Sequence, residues 1–253
     1  MTRNNNSHWL LWLCASRMGF ATIFTTYSAA LPLLRTGWDM TAGQAGMVQS
    51  AWHAGFLVSL FAVGFLADRY GAKRTFLLSS IAASASALVF AAFADSFLSA
   101  LLLHGLAGLC SGGSYTPGLA LIAERFRAGG QGRAMGFYLA ASSLGYAASL
   151  FLSSAVIPLW SWRGAFIVTA CGPLVATAIA FWVLRDTPNL VHPAPEGQAD
   201  HSSLRAVMRN RPAMLAIWAY VFHSRELLGL WAWLPAYLAA AMVYGGGLTS
   251  TAV

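Results

Sequence analysis

Seven long apolar segments follow one another along the chain, at about 9–34, 42–63, 75–94, 97–123, 134–159, 164–184 and 213–242. A helix of about 20 apolar residues crosses the roughly 30 Å of hydrocarbon in a bilayer. The apolar runs are continuous rather than alternating, which favours helices over membrane-spanning strands. The pattern therefore predicts an all-α integral membrane protein built as a helical bundle.

The composition agrees with this pattern. Hydrophobic residues make up 58% of the 253 residues, charged residues only 9%, and the mean hydropathy is +0.61. Soluble domains carry about 25% charged residues. The composition therefore excludes an ordinary soluble domain and indicates the lipid bilayer as the solvent of this chain.

The first apolar segment could also be a signal peptide, because Ser28-Ala29-Ala30 has the small residues of a cleavage site. However, Arg17 interrupts the apolar region, the run is too long, and six more segments follow. We therefore interpret it as the first membrane helix.

The basic residues predict how the chain is oriented. If the N-terminus is cytoplasmic, 11 of the 15 Lys and Arg residues fall on the cytoplasmic side, whereas the outer segments contain only Arg35 and Arg163. The cytoplasmic set is Arg3, Arg69, Lys73, Arg74, Arg125, Arg127, Arg133, Arg185, Arg205, Arg209 and Arg211. This asymmetry follows the positive-inside rule and predicts a multi-pass protein of the cytoplasmic (inner) membrane with a cytoplasmic N-terminus. It also explains the net charge of +7 without a nucleic-acid partner.

Neither a metal site nor a cofactor is expected. Cys14, Cys110 and Cys171 lie in separate apolar segments without paired spacing, so neither a disulfide framework nor a zinc site is indicated. Gly130-Gln131-Gly132 followed by Gly136 is a weak dinucleotide-loop pattern without a preceding strand. No HExxH or GxSxG motif occurs. An enzyme is therefore the less favoured class.

A charged motif, GFLADRYGAKR at residues 64–74, lies between the second and third apolar segments. Gly64 is expected to allow close approach of a neighbouring helix, and Gly71 to allow a turn. Asp68 is expected after the end of the second helix, where it could accept hydrogen bonds from helix N-terminal amides or pair with an arginine. The other charged residues are Arg69, Lys73 and Arg74.

This motif resembles the signature loop of the major facilitator superfamily, whose members carry it between helices 2 and 3. Further stretches that resemble family landmarks are Tyr115-Thr116-Pro117, Glu124-Arg125-Phe126, Gly132-Arg133-Ala134 and Trp162-Arg163-Gly164-Ala165-Phe166. The resemblance implies the major facilitator fold, twelve helices in two halves, and secondary transport of a small solute by alternating access. It also implies that the loop, through Asp68, acts as a conformational latch between the halves.

The resemblance divides the chain into three parts. Residues 1–186 would form the N-terminal six-helix bundle, 187–212 a cytoplasmic linker, and 213–253 helix 7 and the start of an incomplete second bundle, so the chain is interpreted as truncated. Pro188, Pro193 and Pro195 favour a solvated linker. A short amphipathic surface helix is predicted within it from Leu204, Arg205, Val207, Met208 and Arg209.

Arg17 is the first candidate for substrate binding. It lies eight residues beyond Trp9, about 12 Å along a helix, which is deep for a terminal anchor. Ionisable residues at such depth are costly and are often functional. A guanidinium facing a cavity would favour an organic or inorganic anion. A structural pair or a side chain that snorkels to the surface is the alternative.

Other candidates for the substrate or for a coupling proton or ion lie on later helices. Gln49 and His53 are four residues apart and share one helix face, where they could line a polar cavity or simply pack. His104 stands where many family members have an arginine, and Tyr115 belongs to a family landmark.

Helix 7 contains His223, Arg225 and Glu226. Arg225 and Glu226 point about 100° apart, so they do not form a ready-made pair on one face. Glu226 could carry a coupled proton, and a charge pair between the two halves is the alternative.

The drug-antiporter subclass is less favoured. Gly136 and Gly145 have the spacing of its signature, but Ser149-Leu150 and Ser153-Ser154 replace the glycine-proline and glycine-glycine pairs. Proton-coupled efflux of a drug or metabolite, and a membrane fragment that does not transport, remain the alternatives to solute transport.

Overall fold

The structure is a computed structural model and describes residues 3–191 and 208–244. Its helices are α1 (Arg3–Ala21), α2 (Thr26–Gly37), α3 (Ala42–Tyr70), α4 (Ala72–Phe93), α5 (Phe97–Ser111), α6 (Thr116–Arg125), α7 (Gln131–Leu184) and α8 (Arg211–Tyr244). A 3₁₀ turn, Gly112–Ser114, joins α5 to α6. These described residues contain no strand, and the all-α prediction is confirmed.

The first apolar segment is not one continuous helix. α1 ends at Ala21 and α2 begins at Thr26. Threonine hydroxyls contact backbone carbonyls at this break: Thr22 donates to the carbonyl of Thr169 at 2.9 Å, and Thr25 to that of Tyr146 at 3.1 Å. These two hydrogen bonds hold residues 22–25 against α7, where the backbone does not continue as a helix.

α7 contains two predicted segments joined by a sharp reversal. The backbone leaves helical geometry at Trp160 and at Ser161, whose φ is +64°. The hydroxyl of Thr26 lies 3.2 Å from that of Ser149 and 3.0 Å from that of Thr169. On a straight helix Ser149 and Thr169 would be about 30 Å apart. The halves 131–159 and 162–184 therefore run antiparallel, as the separate apolar segments predict.

In the part of the chain that the structure describes, five helical stretches are long and apolar enough to cross a membrane: Ala42–Tyr70, Ala72–Phe93, Phe97–Arg125, Gln131–Leu184 and Arg211–Tyr244. The third joins α5, the 3₁₀ turn and α6, and the fourth contains both halves of α7. The protein is a multi-pass membrane protein.

Glycines allow the tightest helix contacts. A Cβ added at Gly108 of α5 would overlap the backbone carbonyl of Trp52 on α3, and one at Gly145 of α7 would overlap that of Met18 on α1. Small residues at such crossings let membrane helices approach closely and gain van der Waals contact. These crossings hold α1 against α7 and α3 against α5.

The chain divides into two compact units, residues 1–192 and 193–253. The first contains α1–α7 and the buried core, and α8 lies in the second. Most of the predicted linker, and of the predicted amphipathic helix from Leu204 to Arg209, falls in residues 192–207, outside the described residues. The predicted three-part domain division stays a prediction.

Candidate functional site

Arg17 lies inside the first unit, where α1, the 3₁₀ turn and α7 meet. Its side chain is only 6% exposed. Nε donates to the hydroxyl of Ser142 and Nη1 to that of Ser114, both at 2.7 Å. The guanidinium carbon lies 5.4 Å from the ring centroid of Tyr115 and 5.7 Å from that of Tyr138, within the range of cation–π contact. Arg17 therefore does not snorkel to the surface.

The break between α5 and α6 brings these groups together. The Tyr138 hydroxyl donates to the carbonyl of Ser114 at 2.5 Å. This bond satisfies a carbonyl at the non-helical turn, and Gly118 leaves room for the hydroxyl because any Cβ there would overlap it. The turn thus holds the Ser114 side chain where it can accept a hydrogen bond from Arg17.

The positive charge of Arg17 lacks a protein counter-charge within residues 3–191, where neither of the two ion pairs includes it. A guanidinium carries five N–H donors. Two of them bond to Ser142 and Ser114, which leaves three without a partner in the same part of the chain. Serine hydroxyls and ring faces reduce the cost of burying the cation but do not neutralise it. This arrangement can accept an anion.

A cavity of about 820 Å³ lies between α1 and the first half of α7. Its lining includes Cys14, three residues before Arg17, and Ala141, next to Ser142. Arg17 and its two hydrogen-bond partners, Ser114 and Ser142, are not part of the lining. Asn6 and Arg133 contribute polar groups. The volume suits a small organic molecule.

A second polar cluster lies between α3 and α5, as Gln49, His53 and His104. His53 Nδ1 lies 2.9 Å from the backbone carbonyl of Gln49. Three buried atoms, Gln49 Oε1, His53 Nε2 and His104 Nε2, make no hydrogen bond within the described residues. The centroid of the Trp52 ring lies 5.2 Å from that of His53 and 6.5 Å from that of His104. The structure thus brings His104 to the same Trp52 ring as His53, which the sequence places with Gln49 on one helix face.

The α3–α4 loop is held by residues that follow α7. Gly71 has φ +91°, as the turn prediction expects, and the Asn189 side chain occupies the space that a Cβ there would need. Asn189 donates through Nδ2 to the carbonyl of Tyr70 at 2.8 Å and accepts at Oδ1 from the amide of Arg74 at 3.1 Å. Lys73 Nζ donates to the carbonyls of Arg185 and Thr187.

Three expectations about this loop are corrected. α3 continues to Tyr70, so Asp68 belongs to its last turn and does not follow the helix. Its carboxylate makes no hydrogen bond or ion pair within residues 3–191, and Asn189 bonds to the loop instead. A Cβ at Gly64 would meet no atom within 4 Å, so no helix among the described residues requires this glycine for a close contact. The side chain of Arg69 lies over the ring of Tyr70.

The candidates on helix 7 lie on α8, in the second unit. His223, Arg225 and Glu226 are exposed on this helix. Neither ion pair in the described residues includes Arg225 or Glu226. Their proposed roles stay predictions.

Four residues of these sites are not predicted from the sequence. Ser114, Tyr138 and Ser142 position Arg17, and Asn189 fills the space at Gly71. Ser114 has a sequence signal, because it lies in the glycine-rich stretch GGSYTPG that is unfavourable for a continuous helix. The others are single polar residues whose partners lie far away in the sequence.

Among curated proteins, the chain is similar to bacterial transporters. It is 25% identical over 246 residues to a "Probable 4-methylmuconolactone transporter" of Cupriavidus pinatubonensis, an alignment that covers 95% of this chain and 57% of that protein. It is 23% identical over 221 residues to the hexuronate transporter of Bacillus subtilis, covering 83% and 51%. The chain thus spans about half the length of these relatives.

Solved structures give the same fold. A crystal structure of a peptide transporter, POT, in complex with sulfate matches with a TM-score of 0.65 and 16% identity, covering 95% of this chain and 47% of that one. The family model of the Major Facilitator Superfamily matches residues 13–253. Both relatives are named as transporters. This multi-pass membrane protein belongs to the Major Facilitator Superfamily.

Proposed function

We propose that this chain forms one half, and the first helix of the other half, of a secondary active transporter for a small organic anion. Arg17 binds the anionic group of the substrate. The observation that carries the proposal is the burial of Arg17 with three free N–H donors and no carboxylate partner within residues 3–191.

Electrostatics favour an anion over a cation or a neutral solute. A buried, unpaired charge is unfavourable in a membrane protein, and a bound carboxylate would neutralise it. The planar guanidinium can bind two carboxylate oxygens at once. A substrate with a protonated amine would carry the same charge as the guanidinium and would be repelled. One relative is named for hexuronate, an organic anion, which supports this class of substrate.

The broken helices support transport through a site near the middle of the membrane. The break at residues 22–25 follows α1, and the 3₁₀ turn separates α5 from α6. Discontinuous helices commonly form the binding sites of secondary transporters, and the two halves then rock around that site. The N-terminus is cytoplasmic in this proposal, because the basic residues concentrate on that side. The α3–α4 loop then lies at the cytoplasmic face and acts as the latch.

Uptake into proteoliposomes tests the proposal with the full-length protein. The solutes are glucuronate, benzoate and sulfate, with glucose and benzamide as neutral controls and choline as a cation. We expect uptake of at least one organic anion and not of choline. Arg17→Ala should abolish it and Arg17→Lys should weaken it, because lysine keeps the charge but loses the planar fork.

The matched control is Arg35→Gln, which removes an exposed arginine from the last turn of α2. It should transport as the wild type does. Uptake that is selective for choline, or that Arg17→Ala leaves unchanged, would overturn the proposal.

A further inference from the structure

We propose that the cavity between α1 and the first half of α7 binds an anionic phospholipid, with the phosphate at its polar end and one acyl chain along its apolar part. This site is separate from Arg17, whose side chain does not line the cavity. The binding of the lipid does not depend on the proposed transport of an anion. Only its placement in the cytoplasmic leaflet rests on the orientation given under the proposed function.

The lining of the cavity changes from polar to apolar along the two helices. Asn6, Ser7 and Arg133 lie in the first turns of α1 and α7, next to Gly129 and Gly130 of the loop that precedes α7. The lining residues farther along both helices are mainly apolar. They are Leu10, Leu11, Cys14, Phe137, Ala141 and Leu144. A ligand that matches this lining has a polar end and a long apolar part.

The length of the cavity matches one leaflet of a bilayer. At 1.5 Å per residue, the rise is about 12 Å from Asn6 to Cys14 on α1 and about 16 Å from Arg133 to Leu144 on α7. One leaflet contains about 15 Å of hydrocarbon, half of the roughly 30 Å core. A lipid whose phosphate lies at the polar end therefore extends its acyl chain along the whole apolar part.

The cavity is open along its side as well as at its polar end. Leu11, Phe137 and Leu144 line it and are 63%, 52% and 62% exposed. An acyl chain can therefore enter sideways from the membrane. Because such a chain only leaves one apolar surrounding for another, it adds packing contacts and little hydrophobic free energy. The affinity for the lipid must come from the headgroup.

The polar end carries a positive charge that favours an anionic headgroup. The guanidinium carbon of Arg133 lies 5.5 Å from the ring centroid of Phe137, a neighbour in the lining. Neither ion pair among the described residues includes Arg133, and none of the described residues that line the cavity is acidic. Basic side chains at the membrane surface attract anionic lipids. A zwitterionic choline headgroup would bring a positive charge to the same place.

Hydrogen-bond donors at the polar end suit a phosphate. Asn6 Oδ1 accepts from Arg125 Nε at 3.1 Å. Because arginine can only donate, this bond fixes the orientation of the amide and leaves Nδ2 as a donor. α7 begins at Gln131, and no side chain among the described residues caps it at Gly130. The first amides of a helix favour a phosphate through their free N–H groups and the helix dipole. Several donors therefore converge where the headgroup would lie.

Native mass spectrometry tests the inference with the full-length protein, stripped of lipid in a neutral detergent. Palmitoyl-oleoyl-phosphatidylglycerol is the probe, the phosphatidylcholine with the same chains tests the charge, and glycerol phosphate tests a free anion. We expect a saturable site that binds the phosphatidylglycerol at least five-fold more tightly than the phosphatidylcholine, and much weaker binding of glycerol phosphate. Equal affinity for the two lipids, or glycerol phosphate bound as tightly as the lipid, would overturn the inference.

Two tryptophan variants show whether the lipid occupies this cavity. Ala140→Trp fills the cavity without changing a charge, because Ala140 is an exposed residue of its lining. The matched control is Leu139→Trp, at a neighbouring exposed position outside the lining. Ala140→Trp should lose the site and Leu139→Trp should keep it, with similar unfolding temperatures. A site that Ala140→Trp leaves unchanged would overturn the inference, because the lipid would then bind elsewhere.

Two arginine variants test the headgroup contact. Arg133→Gln should weaken binding of the phosphatidylglycerol about five-fold, the effect of one basic residue at a membrane surface. The matched control is Arg69→Gln, which removes an exposed arginine from the end of α3, outside the cavity. It should bind the lipid as the wild type does. Equal losses in the two variants would contradict a headgroup site at Arg133.

Arg17→Ala separates this inference from the proposed function. It should abolish anion uptake and leave the affinity for phosphatidylglycerol unchanged, because Arg17 does not line the cavity. Lipid binding that Ala140→Trp removes, in a protein that takes up none of the anions, supports the lipid site and overturns the proposed function. Anion uptake by a protein without a saturable phosphatidylglycerol site overturns the lipid site alone.

Discussion

Arg17 Nε donates to the hydroxyl of Ser142 at 2.7 Å, across 125 positions of sequence, and so links α1 to the first half of α7. A second bond of the same length to Ser114 adds the turn between α5 and α6. Three separate elements therefore fix one guanidinium. Such preorganisation lowers the entropic cost of binding an anion, because the cation does not have to be ordered at that moment.

Ser142→Ala should weaken anion binding without abolishing it. The variant removes one of two hydrogen bonds that orient Arg17, and a hydrogen bond to a charged group contributes about 1.5–3 kcal/mol. Part of this orientation is retained by Ser114, so we expect a loss of affinity of about three- to ten-fold. Titration calorimetry with the transported anion measures it.

The matched control is Ser153→Ala on the same helix. Ser153 is fully buried, and its hydroxyl makes no hydrogen bond within the described residues. Removing an unsatisfied polar atom should leave anion affinity unchanged and raise thermal stability slightly. Equal losses of affinity in both variants would show that Ser142 acts through general packing rather than through Arg17.

Gly71→Ala should destabilise the protein by about 1–2 kcal/mol. The backbone of Gly71 has φ +91°, and a Cβ there would collide with the Asn189 side chain. Gly64→Ala, in the same motif, is the control, because a helical glycine without neighbours should gain up to about 1 kcal/mol on replacement by alanine. Thermal unfolding in detergent compares the two. Equal stabilities would show that neither strain nor Asn189 contact matters at Gly71.

The carboxylate of Asp95, in the loop between α4 and α5, should titrate at a higher pH in Ser99→Ala. The Ser99 hydroxyl donates to Asp95 Oδ1 at 2.9 Å. This bond is the largest cause that lowers the pKa of Asp95, and a side-chain hydrogen bond with Ser96 is the second largest. Because the pKa of Asp95 is lower in the folded state, its ionised carboxylate stabilises the fold at pH values above its unfolded-state pKa. This stabilisation is lost as the pH falls through the folded-state pKa. Ser99→Ala should therefore reduce stability at neutral pH but not in acid.

Carbon NMR of labelled aspartate measures this titration, and Asp95→Asn identifies the signal. An Asp95 pKa that is the same in Ser99→Ala and in the wild type would contradict the role of the hydroxyl. Because the carboxylate is fully exposed, water screens the effect, and the change in stability should be small.

The sequence predicts those parts of the fold that depend on local pattern. Continuous apolar segments predict membrane helices, and the motif at residues 64–74 predicts the turn at Gly71. The break at residues 22–25 escapes this reasoning, because the threonine hydroxyls that bond there reach α7, far away in the sequence. A periodic pattern does not contain such contacts.

Some residues of the candidate sites are also recognisable from the sequence, whereas others are not. Arg17 stands out because a charge interrupts an apolar segment, and Gln49 and His53 because of their helical spacing. Ser142 and Tyr138 do not stand out, because their role comes from the reversal at Trp160 and Ser161, which lays α7 against α1. Sequence therefore identifies the costly charge, whereas only the tertiary structure shows how it is positioned and that its neighbours lack a carboxylate.

The most direct measurement compares a transported carboxylate with its neutral amide, by calorimetry on wild type, Arg17→Lys and Arg35→Gln. Wild type and Arg35→Gln should bind the carboxylate at least ten-fold more tightly than the amide, a difference of about 1.4 kcal/mol. Arg17→Lys should lose most of this preference, because its ammonium cannot reproduce the two-point contact. Equal binding of carboxylate and amide by wild type, or a preference that Arg17→Lys retains in full, would contradict the assignment of Arg17 as the anion site.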